Sequence, residues 1–123
     1  MKLETSAAFP NSVVLVMDFK SGEPPESMGE GPIATSESCV AIGTLAEHSG
    51  ETHLELTDNL EEVDPAQMRT SFDGHIRTTS GEVSLVSARN ERLITLPVAS
   101  TLVRVRVLVN DDTEPDRIVV ALG

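Results

Sequence analysis

A chain of 123 residues with twenty acidic and nine basic side chains, formal charge -11, has the wrong electrostatic sign for a phosphate backbone. It has no Trp, no Tyr and three Phe, so it also lacks the aromatic platforms on which bases stack, and direct nucleic-acid binding is not expected. The single cysteine, Cys39, excludes an intramolecular disulfide framework, and no apolar run reaches the length of a membrane span.

The size is that of one domain spanning 1–123. Surface scaling gives a folded area of roughly 6,400 Å² against about 19,000 Å² unfolded, enough burial for a core without staples. With so few aromatics the core falls to Val, Leu and Ile. Phe9 lies outside any strong pattern, which leaves Phe19 and Phe72 as the aromatic contributors.

Ser12–Phe19 (SVVLVMDF) is a β-branched run. Of its two alternating sets, Val13/Leu15/Met17/Phe19 is wholly apolar and is expected to face inward, against Val14/Val16/Asp18. Residues 20–37 hold three Gly, three Pro and four Glu with no period, and read as an exposed irregular loop. Ser38–Ala46 returns to strand character and contains Cys39, a small strand residue beside Glu37 rather than a nucleophile in a positive setting. After the turn at 47–50, Glu51–Thr57 alternates Leu54 and Leu56 against His53 and Glu55, and the two strands read as a hairpin.

Asp58–Thr70 is the one place for a helix, with Asp64-Pro65 as N-cap and first helical residue; the alternative is an irregular crossover between sheets. Strands follow at Ser71–Ile76, Glu82–Ala88 and Arg92–Val98. Thr101–Val109 has the clearest pattern, with Val103, Val105, Val107 and Val109 on one face and Arg104, Arg106 and Leu108 on the other. Arg117–Leu122 closes the chain, with Ile118, Val120 and Leu122 inward. Short connections imply antiparallel pairing, so the expected fold is an all-β, single-domain antiparallel β-sandwich of about eight strands, with a small β-barrel as runner-up.

Chemistry-bearing constellations are few. His48, His53 and His75 have no zinc-ligand spacing and read as surface residues, so no metal or cofactor is expected. The run 110–116 concentrates oxygen donors in Asp111, Asp112, Glu114 and Asp116, but it lacks the glycine and spacing of a helical calcium loop; a polar hairpin loop is the simpler reading. No nucleophile elbow, phosphate loop or zinc-protease pattern occurs, and the chain reads as a binding protein rather than an enzyme. Arg104 and Arg106 either pair with acids on a neighbouring strand, the favoured reading, or anchor an interface. A cytoplasmic location is the default expectation.

The strand VVLVMDF runs into a Pro-bearing loop and a hairpin. Gly81-Glu82-Val83-Ser84-Leu85-Val86-Ser87 and RLITLPV (Arg92–Val98) then precede the long strand. This order, with the rhythm G-x-V-x-[LIV]-x-S followed by Leu96-Pro97, resembles the competence protein J family of bacterial β-proteins, small inhibitors of a DNA-uptake nuclease. The resemblance covers roughly two thirds of the chain and transfers no functional residue. It implies an acidic protein that occupies the basic cleft of a nuclease, with Glu23, Glu26 and Glu30, or Asp111, Asp112, Glu114 and Asp116, as contacts. The other readings are a ligand- or calcium-binding β-domain and a structural module that self-associates.

Overall fold

The computed structural model describes residues 1–29 and 31–123. Ten strands form two five-stranded sheets stacked as a sandwich. The strands are β1 (Lys2–Ala7), β2 (Val13–Met17), β3 (Ile33–Thr35), β4 (Cys39–Gly43), β5 (Thr52–Thr57), β6 (Arg69–Arg77), β7 (Glu82–Ser87), β8 (Arg92–Pro97), β9 (Leu102–Val109) and β10 (Arg117–Leu122). The first sheet runs β1-β5-β10-β9-β6 and the second β3-β4-β2-β7-β8. All eight expected strands are present. The two additional ones are edge strands with weak signals: KLETSA carries only Leu3 and Ala7 as apolar inward residues, and IAT is three residues inside the Pro/Gly-rich segment.

The core lies where the alternation is strictest. Val103, Val105, Val107 and Val109 of β9 meet Ile118, Val120 and Leu122 of β10, Leu54 and Leu56 of β5, and Val83 and Leu85 of β7. The folded surface is 6325 Å², as the size scaling requires.

On β2 the expected face is reversed. Val14 and Val16 enter the core, while Met17, Leu15 and Phe19 join Cys39 and Val86 in a small cluster on the outer side of the second sheet. Both sets along β2 are apolar, so alternation alone did not decide between them. Asp18 argued against the inward set, but it sits just past the strand, where loop donors satisfy its carboxylate. Phe9, outside any periodic run, is 1% exposed and part of the core, whereas Phe19 is half-buried outside it.

The expected hairpin between β4 and β5 does not form. β4 pairs with β2 and β3, and β5 with β1 and β10, so residues 44–51 carry the chain from one sheet to the other. Pairing between the named strands is antiparallel except between β5 and β10. Those two strands are more than fifty residues apart in sequence, so the short connections that imply antiparallel pairing place no constraint on them.

The segment after β5 forms no α-helix. It makes one 3-10 turn at Leu60–Glu62, and the Asp64 carboxylate accepts from the Ala66 amide at 3.0 Å in a local turn. β5 and β6 lie in one sheet with β10 and β9 between them, so this segment must cross a face of that sheet. Val119 and Ala121 point to the outer face yet are buried. Val63 of the crossover is buried too, and the Arg117 guanidinium donates to the Asp64 carbonyl at 3.3 Å. The crossover is therefore a cover on the outer side of the first sheet.

Candidate functional site

The acidic candidates are distributed over the molecule. The Glu23 amide donates to Ser38 Oγ at 2.8 Å, next to Cys39 at one end of β4. Its carbonyl accepts from Ser36 Oγ, and a shallow depression of about 440 Å³ here is shared with Glu37 and Arg77. Glu26 lies on the outer face of the second sheet. There Pro24, Pro25 and Met28 border a groove of about 340 Å³ over Val13, Leu15 and Ala41. The segment is thus partly a strap along the sheet. Glu30 lies outside the described residues.

Asp111, Asp112, Glu114 and Asp116 stand at the opposite end of β4. The Gly43 amide donates to the Pro32 carbonyl at 2.8 Å, and a Cβ on Gly43 would meet that oxygen at 3.4 Å and the Thr113 carbonyl at 3.9 Å. The Leu45 amide reaches the Pro115 carbonyl at 3.1 Å and the His53 amide the Asp116 carbonyl at 2.7 Å, so the loop is seated against the 44–51 crossing.

Within the loop most carboxylates are already engaged. The Asp111 carboxylate accepts from the Glu114 amide at 2.9 Å and from the Thr113 amide and hydroxyl at 3.2 Å. Those donors, the Glu114 amide foremost, hold it below the usual carboxylate range. Asp112 pairs with Arg69 at 3.0 Å, and Asp116 accepts from the Asn110 amide group. This is the bonding of a polar hairpin loop. Glu114 is exposed and its carboxylate has no partner among the described residues. Glu47 and Glu51 are exposed on the neighbouring crossing, and Glu47 and Glu91 border a small recess of about 110 Å³ with Arg89. This end therefore presents seven exposed carboxylates with Arg69 and Arg89 among them. It is the candidate site for a cationic surface.

Arg104 and Arg106 lie on the outer face of the first sheet, away from that end. Arg104 grips Asp73 with two bonds, Nε to Oδ1 at 3.0 Å and Nη2 to Oδ2 at 2.8 Å. The strand register places Asp73 opposite Arg106, so Arg104 reaches diagonally. The bond from Arg104 lowers the Asp73 pKa, and the cross-strand reading holds for this arginine. Arg106 is half-buried, and its Nε has no partner among the described residues.

The same face holds a grouping that the sequence did not disclose. Glu4 of β1 stands opposite Glu55 of β5, and Ser6 opposite His53. His53 Nε2 lies 3.0 Å from Glu4, and its Nδ1 2.9 Å from Ser6 Oγ. The link was invisible because β1 was not recognised as a strand. His48 and His75 are exposed elsewhere. Cys39 is buried, and burial pushes its thiol up to about 12, partly opposed by a bond with the Val16 backbone. Among the described residues no helix is long and apolar enough to cross a membrane.

No protein-family model matches the chain, and no curated protein sequence does. Its fold is similar to a solved structure described as ComJ, inhibitor of the DNA degrading activity of NucA, from Bacillus subtilis. The two superpose with a TM-score of 0.67 over 98% of this chain and 93% of that one, at 12% identity. The likeness shows a shared fold, and at that level it bears out the resemblance read from the strand order.

Proposed function

We propose that this chain is a protein-binding inhibitor or regulator whose partner presents a basic surface, such as the phosphate-binding cleft of a DNA-degrading nuclease. The observation that carries the reading is the fold shared with a nuclease inhibitor along nearly the whole chain, on a molecule of charge -11. The end built from 110–116, Glu47, Glu51 and Glu91 is the contact surface in this reading. Among the described residues Glu114, Glu47 and Glu51 have no internal ion pair, so they meet a partner's cations without first breaking one. Complementary charge of this kind speeds encounter and disfavours wrong partners more than it adds raw affinity.

The test is affinity capture at about 50 mM and about 300 mM salt, since screening weakens such contacts. The retained protein is then assayed for DNA degradation with and without the chain. A basic nuclease that is retained at low salt, released at high salt and inhibited supports the reading. Retention that ignores salt, or a nuclease left fully active, overturns it.

A further inference from the structure

The geometry points to a divalent transition-metal site on the outer face of the β1–β5 pair, with Glu4, His53 and Glu55 as ligands. One ligand atom from each lies within 4.8 Å of the others. Carboxylate oxygen and imidazole nitrogen are the donor set that zinc accepts, and three protein ligands leave a fourth position for water.

Two adjacent strands in fixed register carry the ligands. Glu4 and Glu55 are directly opposed, and His53 and Glu55 are two apart on one strand and so share its face. Each inner ligand also has an orienting partner of the kind that metal ligands use. In the metal-free chain His53 Nε2–H donates to Glu4 Oε1 at 3.0 Å; with a metal ion taking the Nε2 lone pair in place of that proton, Ser6 Oγ, at 2.9 Å from Nδ1, is placed to accept the remaining ring N–H. Arg117 places both Nε and Nη2 on Glu55 Oε2, at 3.0 and 2.9 Å, so Oε1 is left facing the cluster.

A cation already approaches the two carboxylates. The Lys2 ammonium lies 3.4 Å from Glu55 Oε1 and 3.9 Å from Glu4 Oε2, long for hydrogen bonds, and would compete with a doubly charged ion for these two carboxylates. Glu55 is 4% exposed and is held by Arg117 through Oε2, which leaves Oε1 as the oxygen open to a metal, while Lys2 is on a flexible stem that can swing outward.

The test is calorimetric titration of the whole chain with zinc chloride, supported by the visible spectrum of the cobalt-loaded protein. One zinc per chain is expected. His53→Ala and Glu4→Gln, both on partly exposed side chains, weaken it by at least about tenfold and abolish the cobalt band, while His48→Ala and His75→Ala leave it unchanged. Lys2→Met, which removes the competing ammonium without touching a ligand, tightens binding several-fold. Absence of stoichiometric binding, equal affinity in His53→Ala, or no gain in Lys2→Met overturns the assignment.

Discussion

The Asp18 carboxylate accepts a hydrogen bond from the Thr78 hydroxyl at 2.7 Å, and this contact fastens the end of β2 to the chain as it passes from the first sheet to the second. The same oxygen accepts from the Thr79 and Ser80 amides at 3.0 and 2.7 Å, and the other from the Lys20 amide at 2.9 Å. Burial alone would push this carboxyl up. The donors of Ser80, Thr78 and Lys20 outweigh burial and hold it far below the usual carboxylate range. Asp18→Asn sets an amide N–H among amide N–H groups and orphans buried donors, at a cost of about 3 kcal/mol in urea unfolding at neutral pH. Because the folded-state pKa is depressed, the contribution is complete above the unfolded value of about 3.9 and is lost as pH falls below it. The gap between parent and variant therefore narrows on moving from pH 7 into the acid range. A gap that stays constant across that range would contradict this account.

Phe9 is a core residue that no pattern marks. It precedes a tight turn in which Asn11 and Ser12 take left-handed backbone angles, and its ring is delivered between the sheets by that turn rather than by strand alternation. Phe9→Ala should lower unfolding stability by about 3–5 kcal/mol, whereas Phe19→Ala, in the small outer cluster, should cost clearly less. Chemical denaturation of both variants measures the difference, and equal losses would place Phe9 outside the core.

What the sequence discloses follows the same division. β9 is legible because one of its sets is wholly Val while the other carries Arg104 and Arg106, and on β10 Arg117 marks the outer set although Val119 and Ala121 in that set are apolar and buried under the crossover. β2 is apolar on both sides and its face is decided by what covers it, the 24–28 strap outside and β9 and β10 inside. The candidate site divides likewise. The 110–116 loop is contiguous and visible as a run of acids. Glu4 and His53, forty-nine residues apart, are brought together by the pairing of β1 with β5, and the edge strand that supplies Glu4 has too little apolar content to be recognised.

Cys39 is buried on β4 with its thiol pushed up to about 12, so almost no thiolate exists at neutral pH and little surface is open to a reagent. Its reaction with a disulfide reagent should be on the order of a hundredfold slower in the folded protein than in urea. Rapid labelling of the native chain would show that β4 opens from the sheet far more often than its pairing on both sides implies.

The acids of the 110–116 loop are not equivalent, and substitutions there separate a structural from a binding role. Asp111 holds the turn through the Thr113 and Glu114 amides, so Asp111→Ala should loosen the loop itself, seen as faster amide hydrogen exchange at those two residues. Among the described residues the Glu114 carboxylate has no partner, and that of Asp112 is tied only to the exposed Arg69. Glu114→Gln with Asp112→Asn should therefore leave exchange and unfolding unchanged. In the proposed function it slows association with a basic nuclease on the order of tenfold at low salt and flattens the salt dependence. Glu23→Gln with Glu26→Gln removes the same charge away from this end and should leave association nearly as fast. If the two double variants slow association equally, the partner responds to net charge alone and this end of the sandwich is not the contact surface.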